Sequence, residues 1–309
     1  MRETSLGASG LRISSLGLGT LTWGRDTDAD QAATMLSDFL DAGGSVVDTA
    51  AGFADGAAEV VLGELLAGSV SRRDVVLVTK AGVRTWRARR AEVDASRATL
   101  LDTLDESLAR LHTDHVDVWM VQAPDPRTPA EETAHALRVA VSSGRARYVG
   151  VSNYAGWQLA HLAGLLRADG TGLAATEFEY SLVERGGERE VLPAARALGI
   201  GTLAWSPLGR GVLTGKYRHS TPPDSRAASP HLRGFVEPHL TERTFGIVEA
   251  LARAADGLEA QPAQVALSWL DGKVDCAVVG PRTPQQLRTL LEDPVELPPV
   301  VAAALDDVS

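Results

Sequence analysis

Eight short apolar runs recur along the chain, and each leads toward a segment with a helical pattern. The runs lie at residues 14–20, 45–50, 75–80, 116–122, 146–152, 173–180, 201–206 and 276–280. Segment 95–111 is an example of the helical pattern, with Ser96 as its N-cap and leucines on one face. Alternating strands and helices indicate a parallel sheet covered by helices, and eight strands favour closure into a (β/α)8 TIM barrel, an α/β fold. We predict a single domain of this kind over residues 1–309.

Two segments stand outside this alternation. The stretch "ETSLGASGLRIS" precedes the first run and predicts a β-hairpin around residues 7–10 that closes the bottom of the barrel. The Pro-rich stretch "HSTPPDSRAASPHLRG", residues 219–234, is the main irregular segment. We interpret it as a long loop of the barrel, because no Gly/Ser-rich linker divides the chain.

Composition narrows the classes of function. The 309 residues include 30 basic and 40 acidic side chains, and a net charge of −10 argues against nucleic acid as a partner. The single cysteine, Cys276, lies in an apolar run, so we expect it to be buried and expect no disulfide within the chain. The histidines have no metal-binding spacing, and no metal is predicted. No stretch offers the roughly 18 apolar residues that span a bilayer, so we expect a cytoplasmic protein without membrane contact.

Polar residues stand where the predicted strands end. In barrels of this type the carboxyl ends of the strands carry the chemistry. The residues at these ends are Asp48, Lys80, Gln122, Ser152, Asn153, Glu177, Ser206 and Arg282. A carboxylate and an ammonium in one partly dry cavity form a pair that shifts the pKa of an acid beside them. The sequence therefore predicts a functional site at this end of the barrel.

Seven stretches of the sequence together carry a resemblance to a known family. They are "LGLGTLTWG" (16–24), "VVDTA" with "LGELL" (46–66), "VVLVTK" (75–80), "SLARLHTDHVDVWMVQAPDP" (107–126), "YVGVSNY" (148–154), "AWSPLGRGVLTGKY" (204–217) and "VVGPRTPQQL" (278–287). Each is weak alone, but in this order and at these separations the chain resembles the aldo-keto reductase superfamily of NADP-dependent (β/α)8 oxidoreductases. The resemblance implies that NADP(H) binds across the carboxyl-terminal rim.

The resemblance also implies which residues contact the cofactor. Ser152 and Asn153 would hold the nicotinamide carboxamide, and Trp205 would stack on the ring. Arg282 would bind the 2′-phosphate, because a guanidinium fork matches phosphate geometry, and Gln286 would contact the adenine. The remaining implied cofactor residues are Thr20 and the loop over the pyrophosphate, Ser206, Leu208, Gly209 and Gly211.

Three site positions depart from the pattern of the family. Its catalytic residues are Asp, Tyr, Lys and His, and the matching places here hold Asp48, Phe53, Lys80 and Gln122. Phe53 lacks the hydroxyl that protonates the alkoxide in ordinary carbonyl reduction. Gln122 can still donate a hydrogen bond, but its amide, unlike the imidazole of histidine, does not ionise. Glu177 stands where the family usually has Gln beside the carboxamide, so a group that only accepts hydrogen bonds replaces an amide.

Three functions stay open at this point. The first is NADP(H)-dependent reduction of a small carbonyl or activated alkene, with water or Lys80 as a non-standard proton donor. The second is a catalytically silent barrel that binds NADP or a partner. The third is a non-redox lyase or isomerase that uses Lys80 as a base or as a Schiff-base amine.

The substrate is constrained only by the loops of the rim. The stretch "RTWRARR", residues 84–90, is expected on a rim loop and would attract an anionic small molecule. Trp23 and Trp86 are candidates to form an apolar pocket wall with Phe53. Neither the substrate nor the oligomeric state follows from the sequence.

Overall fold

The computed structural model describes residues 1–84, 92–168, 170–223 and 225–309, without the side chain of Arg84. The strands in these ranges are β1 (Glu3–Ser5), β2 (Arg12–Ser14), β3 (Leu16–Gly19), β4 (Val46–Asp48), β5 (Val76–Ala81), β6 (Val83–Arg84), β7 (Glu92–Val93), β8 (Val116–Val121), β9 (Ala146–Ser152), β10 (Leu173–Glu179), β11 (Gly201–Trp205) and β12 (Cys276–Val279). Strands β3, β4, β5, β8, β9, β10, β11 and β12 pair in parallel in that order and close into a barrel. Each predicted run contains one barrel strand to within a residue, so the TIM-barrel prediction is confirmed.

Most of the helices cover the outside of the barrel, where their apolar faces are buried. The α-helices in the described ranges are α1 (Ala29–Asp41), α2 (Ala57–Gly68), α3 (Arg97–Arg110), α4 (Ala130–Ser142), α5 (Gly156–Arg167), α6 (Val191–Leu198), α7 (Arg233–Val236), α8 (Glu242–Gly257), α9 (Pro262–Leu270), α10 (Pro284–Leu291) and α11 (Pro299–Val308). Short 3-10 helices lie at Phe53–Gly56, Arg72–Asp74, Gly186–Glu188, Gly209–Thr214, Arg226–Ala228 and Glu237–His239. As predicted, Ser96 caps α3, where its side chain accepts from the amide of Thr99.

The N-terminal hairpin closes the amino-terminal end of the barrel. Strands β1 and β2 pair antiparallel, and Leu6 and Ile13 are buried in one cluster with barrel residues such as Val118. Gly7 has a φ of +53°, and a Cβ there would lie 2.3 Å from the amide nitrogen of Gly201, the first residue of β11. Because only glycine permits this approach, the hairpin is fixed against the barrel at that point. The same cluster contains Cys276, whose thiol is buried as predicted.

The segment 206–241 connects β11 to α8 and lies over the carboxyl ends of the strands. It carries α7 and several of the 3-10 helices, and Ala227 and Leu232 within it are buried. The Pro-rich stretch is therefore a packed loop of the barrel, as predicted. In the ranges described above, none of the helices has the length and apolar character needed to cross a membrane.

Candidate active site

The carboxyl ends of the barrel strands open into one cavity of about 970 Å³. This volume is within the usual range for small-molecule sites. Most of the residues predicted from the sequence line it: Asp48, Phe53, Lys80, Gln122, Ser152, Asn153, Glu177, Trp205, Ser206, Leu208, Gly211, Arg282 and Gln286. Residues from distant parts of the chain are therefore gathered at one place by the closure of the barrel.

Four predicted residues are not part of the described lining. Trp23 was predicted to form a pocket wall, and this is wrong: its side chain is wholly buried in the core between barrel and helices, and Leu21 lines the cavity instead. Thr20 and Gly209 are also buried behind the described lining. Trp86 lies outside the described residues, as does most of the basic stretch 84–90.

Lys80 lies at the floor of the cavity between two carboxyl groups. Its Nζ donates a hydrogen bond to Asp48 Oδ1 and another to the carbonyl oxygen of Thr49, at 3.2 Å. Glu177 Oε2 lies 3.0 Å from the same nitrogen, an ion-pair distance, but without the alignment of a hydrogen bond. All three charged side chains are buried. We call Asp48, Lys80 and Glu177 the floor triad.

Burial and charge have opposing effects on the floor triad. Burial favours the neutral amine of Lys80, but the carboxylates of Asp48 and Glu177 outweigh it and raise the pKa of the lysine. Burial also raises the pKa of Asp48, against the effect of Lys80. Burial first, and then the charge of Asp48, raise the pKa of Glu177 to about 7. The triad therefore contains a stable ammonium and a carboxyl group that changes charge near neutral pH.

Phe53 occupies the floor beside the triad without contributing a proton. Its ring centroid lies 5.7 Å from Lys80 Nζ, within reach of a cation–π contact. All four tyrosines of the sequence fall in the described ranges, and none of them lines the cavity. The hydroxyl that Phe53 lacks is therefore not replaced by a tyrosine from elsewhere in the chain.

A polar wall rises from the floor along β8, β9 and β11. Asn153 has a φ of +64°, and its Nδ2 donates to the carbonyl oxygen of Gln122 at 2.9 Å and to Ser152 Oγ at 3.1 Å. Trp205 Nε1 donates to Asn153 Oδ1 at 2.9 Å. Gln122 Oε1, in contrast, is buried without a hydrogen-bond partner. A buried acceptor left without a donor is unfavourable, so this wall is suited to a ligand that donates a hydrogen bond.

Unusual backbone conformations are concentrated around the cavity. The described residues include seven non-glycine positions with positive φ, and five of them line it. These five are Ala54, Asp55, Asn153, Ser206 and Arg210. Left-handed backbone costs about 1–2 kcal/mol at an ordinary residue, and such positions cluster at functional sites. The backbone geometry therefore marks the same cavity as the side chains do.

Basic side chains line the mouth of the cavity. They are Arg25, Arg210, Lys216, Arg226 and Arg282. Burial, and then the charge of Arg282, lower the pKa of Arg226, whose Nη2 donates to the carbonyl oxygen of Gly280 at 2.5 Å. Gly211 also lies at this mouth, where its φ of +100° favours glycine. Several cations around a glycine-containing loop suit a ligand with phosphate groups.

Arg210 and Glu179 form a second charged group near the mouth. The guanidinium donates from Nε and Nη2 to the two carboxylate oxygens of Glu179, at 2.7 and 2.6 Å, and from Nη1 to the carbonyl oxygen of Phe235. His239 Nε2 lies 3.2 Å from the same carboxylate. Although burial alone would raise the pKa of Glu179, His239 and Arg210 lower it. These contacts attach segment 206–241 to the end of β10.

Comparison with known proteins agrees with this geometry. Residues 15–309 match the Aldo/keto reductase family. The chain belongs to this family. Its relatives include a protein named Uncharacterized oxidoreductase YrpG, from Bacillus subtilis, which is 35% identical over all of this chain and 96% of its own length. L-glyceraldehyde 3-phosphate reductase of Escherichia coli is 34% identical over 93% of this chain and 86% of its own length. A protein of Oryza sativa named Probable voltage-gated potassium channel subunit beta is 35% identical over 87% and 83%.

Several residues that line the cavity of this aldo/keto reductase were not predicted from the sequence. Arg226, His231 and Phe235 all come from segment 206–241 and line the mouth. The ring nitrogen Nε2 of His231 lies 3.0 Å from Asp26 Oδ2, which joins this segment to the loop after β3. Two arginines and two histidines within the irregular stretch were the available signal, but loop residues have no strand pattern that places them. Across the described part of the chain, no three His, Cys, Asp or Glu side chains are placed to hold a metal ion.

Proposed function

We propose that this aldo/keto reductase is an NADP(H)-dependent oxidoreductase that reduces a small carbonyl compound or an activated alkene with a non-standard proton donor. The observation that carries the proposal is the buried Lys80 ammonium on the floor of the cavity whose mouth is basic. A cation fixed in a dry site stabilises the negative charge that develops on a substrate oxygen during reduction. Because no tyrosine lines the described cavity, the proton would come from a donor other than the usual tyrosine.

The residues present fit the cofactor that the family implies. Gln122 Oε1 is a buried acceptor without a donor, and the carboxamide NH₂ of a nicotinamide is a donor of the required kind. Ser152, Asn153 and Trp205 would hold the ring, while Arg282 and Arg226 would bind phosphate at the mouth. When bound, the reduced cofactor supplies the hydride. We keep NADP(H) as the proposed form because of the arginines, whose forks match a 2′-phosphate.

Side chains of the cavity would act directly on the substrate. Lys80 and the amide of Gln122 would donate hydrogen bonds to its oxygen, and Phe53 would exclude water from the reacting carbon. The basic mouth favours an anionic substrate. L-glyceraldehyde 3-phosphate reductase, one of the relatives, is named for a substrate that is both an aldehyde and an anion. A phosphorylated aldehyde therefore belongs among the first compounds to test. The net negative charge of the chain disfavours nucleic acid as a partner.

The proposal is tested by binding and turnover together. NADPH and NADH are titrated separately against the purified protein by tryptophan fluorescence, which Trp205 should report. NADPH oxidation is then followed with aldehydes, ketones, quinones, enones and a phosphorylated aldehyde. We expect NADPH to bind at least about tenfold more tightly than NADH, and Arg282→Ala to remove most of that preference. The proposal is contradicted if neither nucleotide binds. It is also contradicted if NADPH binds but is not oxidised in the presence of any compound of the panel.

The lack of a tyrosine acid favours one alternative, a cofactor-binding barrel without turnover. One relative bears the name of a channel subunit rather than of an enzyme. If this alternative holds, the doubly substituted variant Phe53→Tyr, Gln122→His gains carbonyl reduction that the natural chain lacks. The lyase or isomerase hypothesis needs Lys80 as a neutral amine, and the raised pKa of that lysine argues against it. Borohydride trapping of a carbonyl ligand on Lys80 would support it instead.

A further inference from the structure

Reduction at this site requires a proton from a group other than tyrosine. When a C=O group is reduced, carbon gains a hydride and oxygen gains a proton. In the described lining, Lys80 is the buried cation on the floor, and Glu177 is the buried carboxyl group 3.0 Å from its Nζ. Asp48 already accepts a hydrogen bond from the same Nζ. Two carboxyl groups therefore share one ammonium in a dry site.

The charges of the floor triad favour one extra proton. With all three groups ionised, the floor has a net charge of −1, which burial disfavours. Glu177 Oε2 makes no aligned hydrogen bond, whereas Asp48 does, so Glu177 is the carboxylate less stabilised by Lys80. A proton on Glu177 neutralises the floor and keeps the Asp48–Lys80 pair intact. The pKa of Glu177, raised to about 7, agrees with this placement.

We infer that Glu177 is the acid that stores the proton for this reaction and passes it to the substrate oxygen through Lys80. The inference rests on the proposed function and names the proton donor of the same site. An N–H bond of Lys80 breaks as the O–H bond of the product forms. The O–H bond of Glu177 then breaks as the N–H bond of Lys80 is restored, and its electron pair stays on the carboxylate. The carbonyl is reduced, the dinucleotide is oxidised, and solvent later returns a proton to Glu177.

The same charges couple the stored proton to the oxidation state of the cofactor. A nicotinamide ring gains one positive charge when it gives up hydride, and a positive charge in the cavity favours the carboxylate form of Glu177. The titratable groups that face Glu177 are Asp48 on β4, Lys80 on β5 and Cys276 on β12. Burial raises the pKa of the Cys276 thiol, so it stays protonated, and Lys80 stays charged. Burial raises the pKa of Asp48 as well, but the hydrogen bond from Lys80 favours its carboxylate form. Glu177, whose Oε2 has no such hydrogen bond, is therefore the group of this set assigned to release a proton.

Calorimetry of cofactor binding in buffers of different ionisation enthalpy tests the inference without turnover. Binding of NADP⁺ should release between about half and one proton more per site than binding of NADPH at pH 6 to 7. The difference between the two forms cancels protons taken up or lost by the shared phosphates. Glu177→Gln should abolish the difference, and Glu177→Asp should restore part of it. Glu249→Gln, an exposed carboxylate paired with Arg218, is the matched control and should keep it.

Three other outcomes would contradict the inference or the proposed function. Equal proton release for NADP⁺ and NADPH in the natural chain, with both forms binding, overturns the inference and leaves the proposed cofactor in place. A difference that survives Glu177→Gln but is lost in Asp48→Asn places the proton on Asp48 and also overturns it. The absence of binding heat for both forms overturns the proposed function and the inference with it.

Discussion

Glu177 and Glu179 stand two residues apart on β10, yet their pKa values are shifted in opposite directions. Glu179 receives two parallel hydrogen bonds from Arg210 and a contact from His239, so one carboxylate has two partners that can be cationic. Glu177 shares the single ammonium of Lys80 with Asp48, and one of its oxygens has no hydrogen bond. The two glutamates therefore differ in how many cationic partners serve each carboxylate.

The difference separates a structural ion pair from a reactive one. A bidentate arginine fixes the ionised state of Glu179, which suits a contact that attaches segment 206–241 to the barrel. Glu177 is buried and under-stabilised as an anion, which suits a group that gains and loses a proton near pH 7.

The largest effect is expected from removal of the shared cation. Lys80→Met leaves Asp48 and Glu177 facing each other without compensation, so the free energy of unfolding should fall by about 3–5 kcal/mol in urea titrations at pH 8. Reduction of a substrate should slow by about 10²–10⁴-fold. The double variant with Glu177→Gln removes one of the two buried carboxylates and should recover part of the stability. Unchanged stability in the single variant would refute the described floor triad.

The pH dependence of stability should differ between the two glutamates. Below about pH 4.5 Glu177 is protonated in both folded and unfolded chains and makes no difference. Between about 4.5 and 7 the unfolded chain loses the proton and the folded chain keeps it, so stability falls as pH rises through this window. Above pH 7 Glu177 is ionised in both folded and unfolded chains. Its burial as a carboxylate then lowers the free energy of unfolding by the full amount, on the order of 3 kcal/mol.

Urea unfolding of the natural chain and Glu177→Gln at about pH 5 and pH 8 measures this effect. The variant should gain stability relative to the natural chain at the higher pH. Glu179→Gln is the matched control. Because the pKa of Glu179 is lowered in the folded chain, its carboxylate stabilises the fold above the unfolded pKa, and this stabilisation is lost as pH falls. The Glu179→Gln variant should therefore gain no stability at pH 8. The same trend in both variants would remove the contrast.

A smaller loss is expected when the fork of Arg210 is replaced. Arg210→Lys keeps the positive charge but cannot donate in parallel to both oxygens of Glu179 or reach the carbonyl of Phe235 in the same pose. The free energy of unfolding should fall by about 1–3 kcal/mol, and cofactor affinity should weaken because segment 206–241 lines the mouth. Measurements that match the natural chain in both respects would show that charge alone holds the segment.

The smallest effect is a rescue at the floor. In the Glu177→Gln variant, addition of Phe53→Tyr places a hydroxyl on the ring whose centroid lies 5.7 Å from Lys80 Nζ. A tyrosine beside an ammonium is a proton donor, so the rate of carbonyl reduction should recover by at least about tenfold. Phe53→Leu in the same background is the control and should give no recovery. Equal rates in both double variants would indicate that proton supply does not limit the reaction.

The sequence predicted the barrel well because its strands and helices have distinct periods. Asp48, Lys80 and Gln122 were placed correctly for the same reason: each stands where an apolar run ends. Trp23 was misplaced because it lies in a loop, where no period decides whether a side chain faces the cavity or the core. The departure at Glu177 was visible in the sequence. Its ion pair with Lys80 was not, because β5 and β10 are not neighbours in the sheet and their side chains come together only inside the closed barrel.

The most direct measurement is an NMR titration of the Glu177 side-chain carboxyl carbon in protein labelled with ¹³C-glutamate. One resonance should titrate with a midpoint near pH 7, be absent from Glu177→Gln, and remain in Glu179→Gln. That result would show an acid able to hold a proton where the tyrosine hydroxyl is missing. If the resonance lost in Glu177→Gln instead belongs to a carboxylate that stays ionised down to about pH 5, the site has no such acid and the account fails.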